Sequence, residues 1–197
     1  MSGSTTREKM LDAALDLFSK KGYSATSVDE IAESIGIKGP NLYKYFKGKA
    51  ALMEELSQLS DSSYDENMKM NKANTISDVT ELKTFTLSQI KYTMNNETVG
   101  KMRKMVIIEQ FRNEIMKQKA TLHQYTIIQQ QYMSIMKQLI DNGSIIDADP
   151  ETLALEYTAP LTVMLQLCDR EPERKEEAMT LIEKHIDHFI ELHRVRK

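Results

Sequence analysis

Between Ser34 and Met53 the chain carries Lys38, Lys44, Lys47 and Lys49 and no aspartate or glutamate, a local charge of +4. Asn41, Tyr43 and Tyr45 stand among these lysines. A row of cations of this kind suits a phosphate backbone, which rewards neutralisation by releasing its condensed counterions. A lysine cluster is otherwise an ordinary solvated face. The charge is confined to one edge, because the first 60 residues hold eight basic and eight acidic side chains and the whole chain carries −3. A nucleic-acid function therefore rests on this stretch and not on the charge of the molecule.

The elements that must present those residues are short helices. Ser27 and Glu30 form a capping-box pattern, with Val28, Ile31, Ala32 and Ile35 as the apolar side of the helix they open. Gly36 falls where a sharp turn needs a permissive backbone. Pro40 suits a first helical turn, where its missing N–H has no partner to lose. Leu42 and Phe46, four apart, anchor this second helix, and Gly48 precedes a third. Two short helices joined through a glycine turn predict a helix-turn-helix reader of DNA. An earlier helix, begun by a Thr5–Glu8 capping box, carries Met10, Leu11, Ala14, Leu17 and Phe18 in one stripe and ends at Gly22.

The remaining chain reads as helices throughout. Apolar residues recur at helical spacing, β-branched alternation is absent, and only seven glycines and four prolines occur among 197 residues. The expected helices run from Gly48 to about Lys72 with Leu52, Leu56, Leu59 and Met68 inward, and from a Ser77 cap to about Asn95. Others span about Val99 to Ala120, Leu122 to Asn142, a helix opened by Asp149-Pro150, and about Pro172 to His193. The expectation is an all-α chain of about nine helices. A three-helix DNA-binding domain over residues 1–50 is followed by a helical ligand-binding and dimerisation domain over 51–197. A helix and not a flexible linker joins them.

The first ~55 residues resemble the TetR/AcrR family of one-component transcriptional regulators, the size of a single small domain. The likeness runs through Phe18, Gly22, Thr26, Ile31-Ala32 and Gly36. It continues through LYKYFKGKAAL, where Tyr43, Phe46, Lys49 and Leu52 carry the family's spaced Tyr-x-x-Phe-x-x-Lys-x-x-Leu pattern. The resemblance implies a homodimer formed by the last two helices, a recognition helix of each copy in the major groove of a palindromic operator, and repression as the usual mode. It also implies a small effector bound in the C-terminal domain that changes the separation of the two heads. By matching positions, Tyr43 and Lys49 contact phosphates, and Thr26 or Ser27 adds a backbone contact. Lys38, Gly39, Asn41 and Tyr45 face base edges. Lysine donates to guanine O6/N7, asparagine pairs with adenine N6/N7, and glycine admits close approach. Pro40 belongs to the same surface, and Lys44 and Lys47 add backbone charge. Asn41 is equally compatible with a plain exposed polar site, and Phe46 with the core.

Ten of the 13 methionines lie after residue 60, which fits an adaptable pocket for a hydrophobic or amphipathic effector as well as ordinary core filling. On a helical wheel Met102, Met105, Glu109, Arg112 and Met116 share a face. Glu109 or Arg112 then points into the effector cavity, joined by Tyr92, Tyr125 and Gln129, or the two form a surface pair three residues apart. On the cavity reading, Glu109→Gln alters the effector response and leaves effector-free DNA affinity unchanged.

His185 and His188 have metal-ligand spacing, but His185 sits on the apolar face of the last helix, so no metal site is expected. Cys168 reads as a small hydrophobe before a redox switch, and one cysteine makes no internal disulfide. No nucleophile–base or paired-carboxylate arrangement points to an enzyme, and no cofactor motif occurs. No run approaches the ~18 apolar residues of a membrane span, and no apolar signal core opens the chain. A cytoplasmic protein is expected. The competing reading is a helical ligand carrier or interaction protein with a non-functional head.

Overall fold

The computed structural model describes residues 5–70 and 76–195, with only the helical backbone for residues 63–70. The described residues are helical apart from turns and one isolated antiparallel bridge between Ile145 and Arg194. The α-helices are α1 Thr6–Lys21, α2 Val28–Ser34, α3 Gly39–Leu42, α4 Lys49–Met70, α5 Val79–Asn95, α6 Glu97–Glu109, α7 Glu114–Thr121, α8 Ile127–Asp141, α9 Pro150–Arg170 and α10 Lys175–His193. A π-helical turn, Leu122–Thr126, carries α7 directly into α8. Counting that uninterrupted run once gives nine helices among the described residues. The chain divides into two compact units. The first comprises Met1–Asp65 and Glu97–Ala120, the second Glu66–Asn96 and Thr121–Lys197. The sequence suggests a division near residue 50. The compact units divide at residue 65, within α4, and the first includes α6 and α7 from far along the chain.

In the first unit Thr5 caps α1 reciprocally with Glu8, its hydroxyl accepting from the Glu8 amide at 3.2 Å while the Thr5 amide donates to the carboxylate at 2.8 Å. The core joins Met10, Leu11, Ala14, Leu15 and Phe18 of α1 to Ile31, Ala32, Leu42, Phe46, Leu52, Met53 and Leu56. Leu15 takes the buried place expected for Leu17, which packs at the edge. Met102, Met105, Val106, Met116 and Ala120 complete the same cluster, so α6 and α7 belong to the head's own core. Lys101 of α6 pairs with Asp16 of α1 and with Glu97. The single helix expected over 99–120 is broken at residues 110–113. The Asn113 side chain accepts from the amides of Ile115 at 3.0 Å and Met116 at 3.3 Å, capping a new helix at the cost of continuing the old one. Leu59, expected in the stripe of α4, is exposed, and Met68 lies outside the described side chains.

The second unit packs α5, α8, α9 and α10 around Leu82, Phe85, Tyr132, Ile135, Met136, Leu139, Leu153, Tyr157, Leu161, Ile182, Ile186 and Phe189. Asp78, not Ser77, caps α5, accepting from the amides of Thr80 at 2.7 Å and Glu81 at 2.8 Å. Ser77 bonds the Glu81 carboxylate from outside. At its centre the phenols of Tyr132 and Tyr157 both donate to the Thr86 hydroxyl, at 3.1 and 2.9 Å. All three residues are buried, and burial pushes the Tyr157 phenol well above its ordinary range. Phe189 meets Tyr157 edge-on at 4.8 Å between centroids. Asp149 caps α9 as its sequence suggests, accepting from the Thr152 amide at 2.8 Å.

Candidate nucleic-acid interface

The reading stretch is shaped by which side chains turn inward. Ile31 and Ala32 of α2 are fully buried, and Ile37 returns its amide to the Ala32 carbonyl at 3.0 Å, closing the turn around Gly36. Gly36 takes φ +73°, which residues with a Cβ rarely adopt. Beyond Leu42 the backbone continues in tighter turns, with the Tyr45 and Phe46 amides both donating to the Leu42 carbonyl at 2.9 and 3.0 Å. Leu42 and Phe46 are buried. Their inward anchoring turns Lys38, Pro40, Asn41, Tyr43, Lys44, Tyr45 and Lys47 outward, and all seven are exposed. Among the described residues Lys38, Lys44 and Lys47 meet no carboxylate at ion-pair distance. Two of the acids that flank the run are engaged elsewhere: Glu30 pairs with Lys21, and Glu55 with Arg7.

Three of the expected DNA-contacting residues are placed differently from the rest. Thr26 is buried and spends its hydroxyl on the Gly22 carbonyl at 2.8 Å. The Ser27 hydroxyl is held in the α2 cap, accepting from the Glu30 amide at 3.1 Å. The Lys49 ammonium donates to the carbonyls of Tyr23 at 2.6 Å and Thr26 at 2.8 Å and lies 4.3 Å from the Tyr23 ring centroid. Lys49 thus fastens the loop between α1 and α2. Gly39 is partly covered by Asp29, whose carboxylate oxygen would lie 2.1 Å from any added Cβ.

The α2 cap also sets an acid dependence. The Lys21 ammonium foremost, then the Ser27 amide and hydroxyl, hold the Glu30 carboxyl at about 2 against an ordinary 4.5. A depressed folded-state value stabilises the fold fully above the unfolded value and loses that contribution as pH falls. The cap's contribution is therefore present above about pH 4.5 and fades down to about pH 2. Glu30→Gln is expected to flatten the pH dependence of Tm in that window, read by thermal melts. An unchanged profile would remove the cap from the account.

The effector candidates fall into two groups. Met102, Met105, Glu109 and Met116 are buried in the first unit, and Arg112 is exposed there. In the second unit Gln129 donates to the Glu151 carbonyl at 2.8 Å, the Tyr92 hydroxyl accepts from Asn96 at 3.1 Å, and Tyr125 is half exposed. Among the described residues Glu109 makes no ion pair with Arg112. Its carboxylate accepts from the Ser24 amide at 2.9 Å and the Ser24 hydroxyl at 2.6 Å. Sequence reasoning missed Ser24 altogether, for no local pattern links residues 85 apart. His185 donates a ring N–H to the Tyr157 carbonyl at 2.9 Å, and His188 is exposed.

An outward row of cations, amide and phenols on a helix-turn-helix is an arrangement suited to duplex DNA. Residues 10–56 match the family described as bacterial regulatory proteins, tetR family. That match covers about the first quarter of the chain. Over 61 residues it is 44% identical to the HTH-type transcriptional regulator AcrR of Shigella flexneri, covering 31% of this chain and 28% of that one. Over 49 residues it is 43% identical to IcaR of Staphylococcus aureus, the negative transcriptional regulator of the biofilm operon icaADBC, covering 25% of this chain and 26% of that one. The chain thus spans little more than a quarter of the length of these curated relatives. Over nearly its whole length it shares the fold of SmeT, the repressor of the Stenotrophomonas maltophilia multidrug efflux pump SmeDEF. The TM-score is 0.68 at 20% identity, covering 98% of this chain and 92% of that one. SmeT is also known as a triclosan complex, with TM-score 0.69 at 19% identity over 98% and 93% of the two chains.

Proposed function

We propose that the chain is a cytoplasmic repressor that binds a palindromic operator as a homodimer and is released by a small hydrophobic or amphipathic effector. The observation that carries the reading is the inward anchoring of Leu42 and Phe46, which leaves Lys38, Asn41, Tyr43, Lys44, Tyr45 and Lys47 exposed together. Lys38, Asn41 and Tyr45 face bases, with Gly39 and Pro40 admitting the backbone, and Tyr43, Lys44 and Lys47 face phosphates. Thr26, Ser27 and Lys49 contribute by holding the loop that starts α2. Repression follows the names of IcaR and SmeT.

One such head has few phosphate contacts, and two copies at a fixed spacing supply the rest. Leu155 and Val163 on α9 and Leu181 and Leu192 on α10 are large apolar side chains left exposed, which supports pairing of two copies through these helices. The triclosan complex of SmeT supports an apolar effector. Tyr92, Tyr125 and Gln129 are the effector candidates that remain once Met102, Met105, Glu109 and Met116 are assigned to the head's core.

The test is selection of duplexes from a randomised palindromic pool, followed by footprinting upstream of neighbouring genes. A protected two-fold site whose affinity falls steeply between low and physiological salt is the expected result. Flat or absent binding would leave the helical ligand carrier as the better reading.

A further inference from the structure

We propose that Glu109 is a positioning residue for DNA binding, acting from α6 on the loop that places the helix-turn-helix. The inference rests on the DNA-reading function and adds to it a residue outside the reading stretch. Glu109 is 2% exposed, and among the described residues no cation lies at ion-pair distance from it. A carboxylate in that position is costly unless its oxygens are satisfied by good donors. Both donors come from Ser24, whose amide and hydroxyl reach the two carboxylate oxygens. A side chain that merely filled the core beside Met105 and Val106 would have no need of charge.

The loop it grips is held from the opposite polarity as well. Lys49 of α4 donates to the carbonyls of Tyr23 and Thr26, while Glu109 accepts from the Ser24 amide between them. Burial and the charge of Glu109 both raise the Tyr23 phenol. Gly22 completes the fit: it takes φ +91°, and an added Cβ would lie 2.3 Å from a Glu109 oxygen and 3.0 Å from Ile108. The chain bends here with its backbone pressed against the carboxylate. Three residues after Ser24 comes Ser27, the cap of α2, and α2 packs on α3. The position of the Lys38–Lys47 surface therefore depends on where Glu109 holds Ser24. The amide and the hydroxyl require an acceptor at both oxygens, and glutamine offers one oxygen and one competing donor group.

This reverses the expectation that Glu109→Gln leaves effector-free DNA binding untouched. Measured without effector on a duplex selected from the palindromic pool, Glu109→Gln is expected to weaken specific binding about tenfold. The slope against salt should be unchanged, because no phosphate contact is removed. Ser24→Ala should cost less, and adding it to Glu109→Gln should cost less than the sum of the two. Ser24→Thr, which keeps the hydroxyl, should bind like the parent. Met105→Leu, a volume-conserving change in the same core, should leave affinity within about twofold, separating positioning from loosened packing. Equal binding by parent and Glu109→Gln protein overturns the proposal while leaving the DNA-reading function standing. An equal loss from Met105→Leu, or simple additivity of Ser24→Ala and Glu109→Gln, overturns it too. Failure of the parent protein to bind any selected duplex overturns the function itself and the inference with it.

Discussion

Replacing Lys44 and Lys47 together by alanine is expected to weaken operator binding by about three orders of magnitude near 0.15 M salt. Each phosphate neutralised contributes a slope of about −0.9 in log affinity against log salt. Two lysines in each of two heads make about four such contacts, so the slope should fall in magnitude by about 3.6. Fluorescence anisotropy over a salt series reads this directly. Both lysines are exposed, so stability should hardly change. Asn41→Ala should behave in the opposite manner. Losing an amide paired to adenine relaxes base discrimination by about 1–3 kcal/mol and leaves the salt slope alone. Identical salt slopes for the parent and the double-lysine variant would take Lys44 and Lys47 off the phosphates.

The contrast between Lys49 and those two lysines shows where sequence reading gives out. All four lysines look alike in the sequence, as one acid-free run. In space Lys38, Lys44 and Lys47 are exposed, whereas Lys49 is drawn down onto two carbonyls and a tyrosine ring. What separates them is the path of a loop more than twenty residues earlier. The features legible in advance are those decided by neighbours within one or two turns. These are the Thr5–Glu8 and Ser27–Glu30 caps, the Asp149-Pro150 start, and the inward pair Leu42 and Phe46.

Features set by distant pairing were not legible. Glu109 on a helical wheel is a charge on an apolar face, which fits a surface pair or a cavity. Its real partner is Ser24, brought beside it because α6 packs on α1. The hydroxyl cluster of Thr86, Tyr132 and Tyr157 escaped for the same reason, since three helices must assemble before it exists. The recruitment of α6 and α7 into the first unit follows from these contacts and not from any composition change along the chain. A carboxylate that reads as part of a sensing body is thereby placed in the unit that carries the helix-turn-helix.

Tyr43 and Phe46, three residues apart in the turn that follows α3, should show opposite consequences when each is cut to alanine. Phe46 is 4% exposed, and the Arg7 guanidinium lies 5.1 Å from its ring centroid. Removing a buried aromatic ring costs about 3–5 kcal/mol, a large part of the ~5–15 kcal/mol that holds a domain together. Phe46→Ala should therefore lower the stability of the head steeply, and DNA binding should disappear with its fold. Phe46→Leu keeps much of the volume and should cost less than about 1.5 kcal/mol, with binding retained. Tyr43 is 58% exposed. Tyr43→Ala should change stability by no more than about 0.5 kcal/mol and still weaken operator affinity. Urea denaturation and anisotropy on the same four proteins test the pair. The inward assignment of Phe46 fails if Phe46→Ala is as stable as the parent. The outward assignment of Tyr43 fails if its loss of binding comes with an equal loss of stability. Only the crossed result, stability from one ring and affinity from the other, fits an element whose buried face exists to present its exposed one.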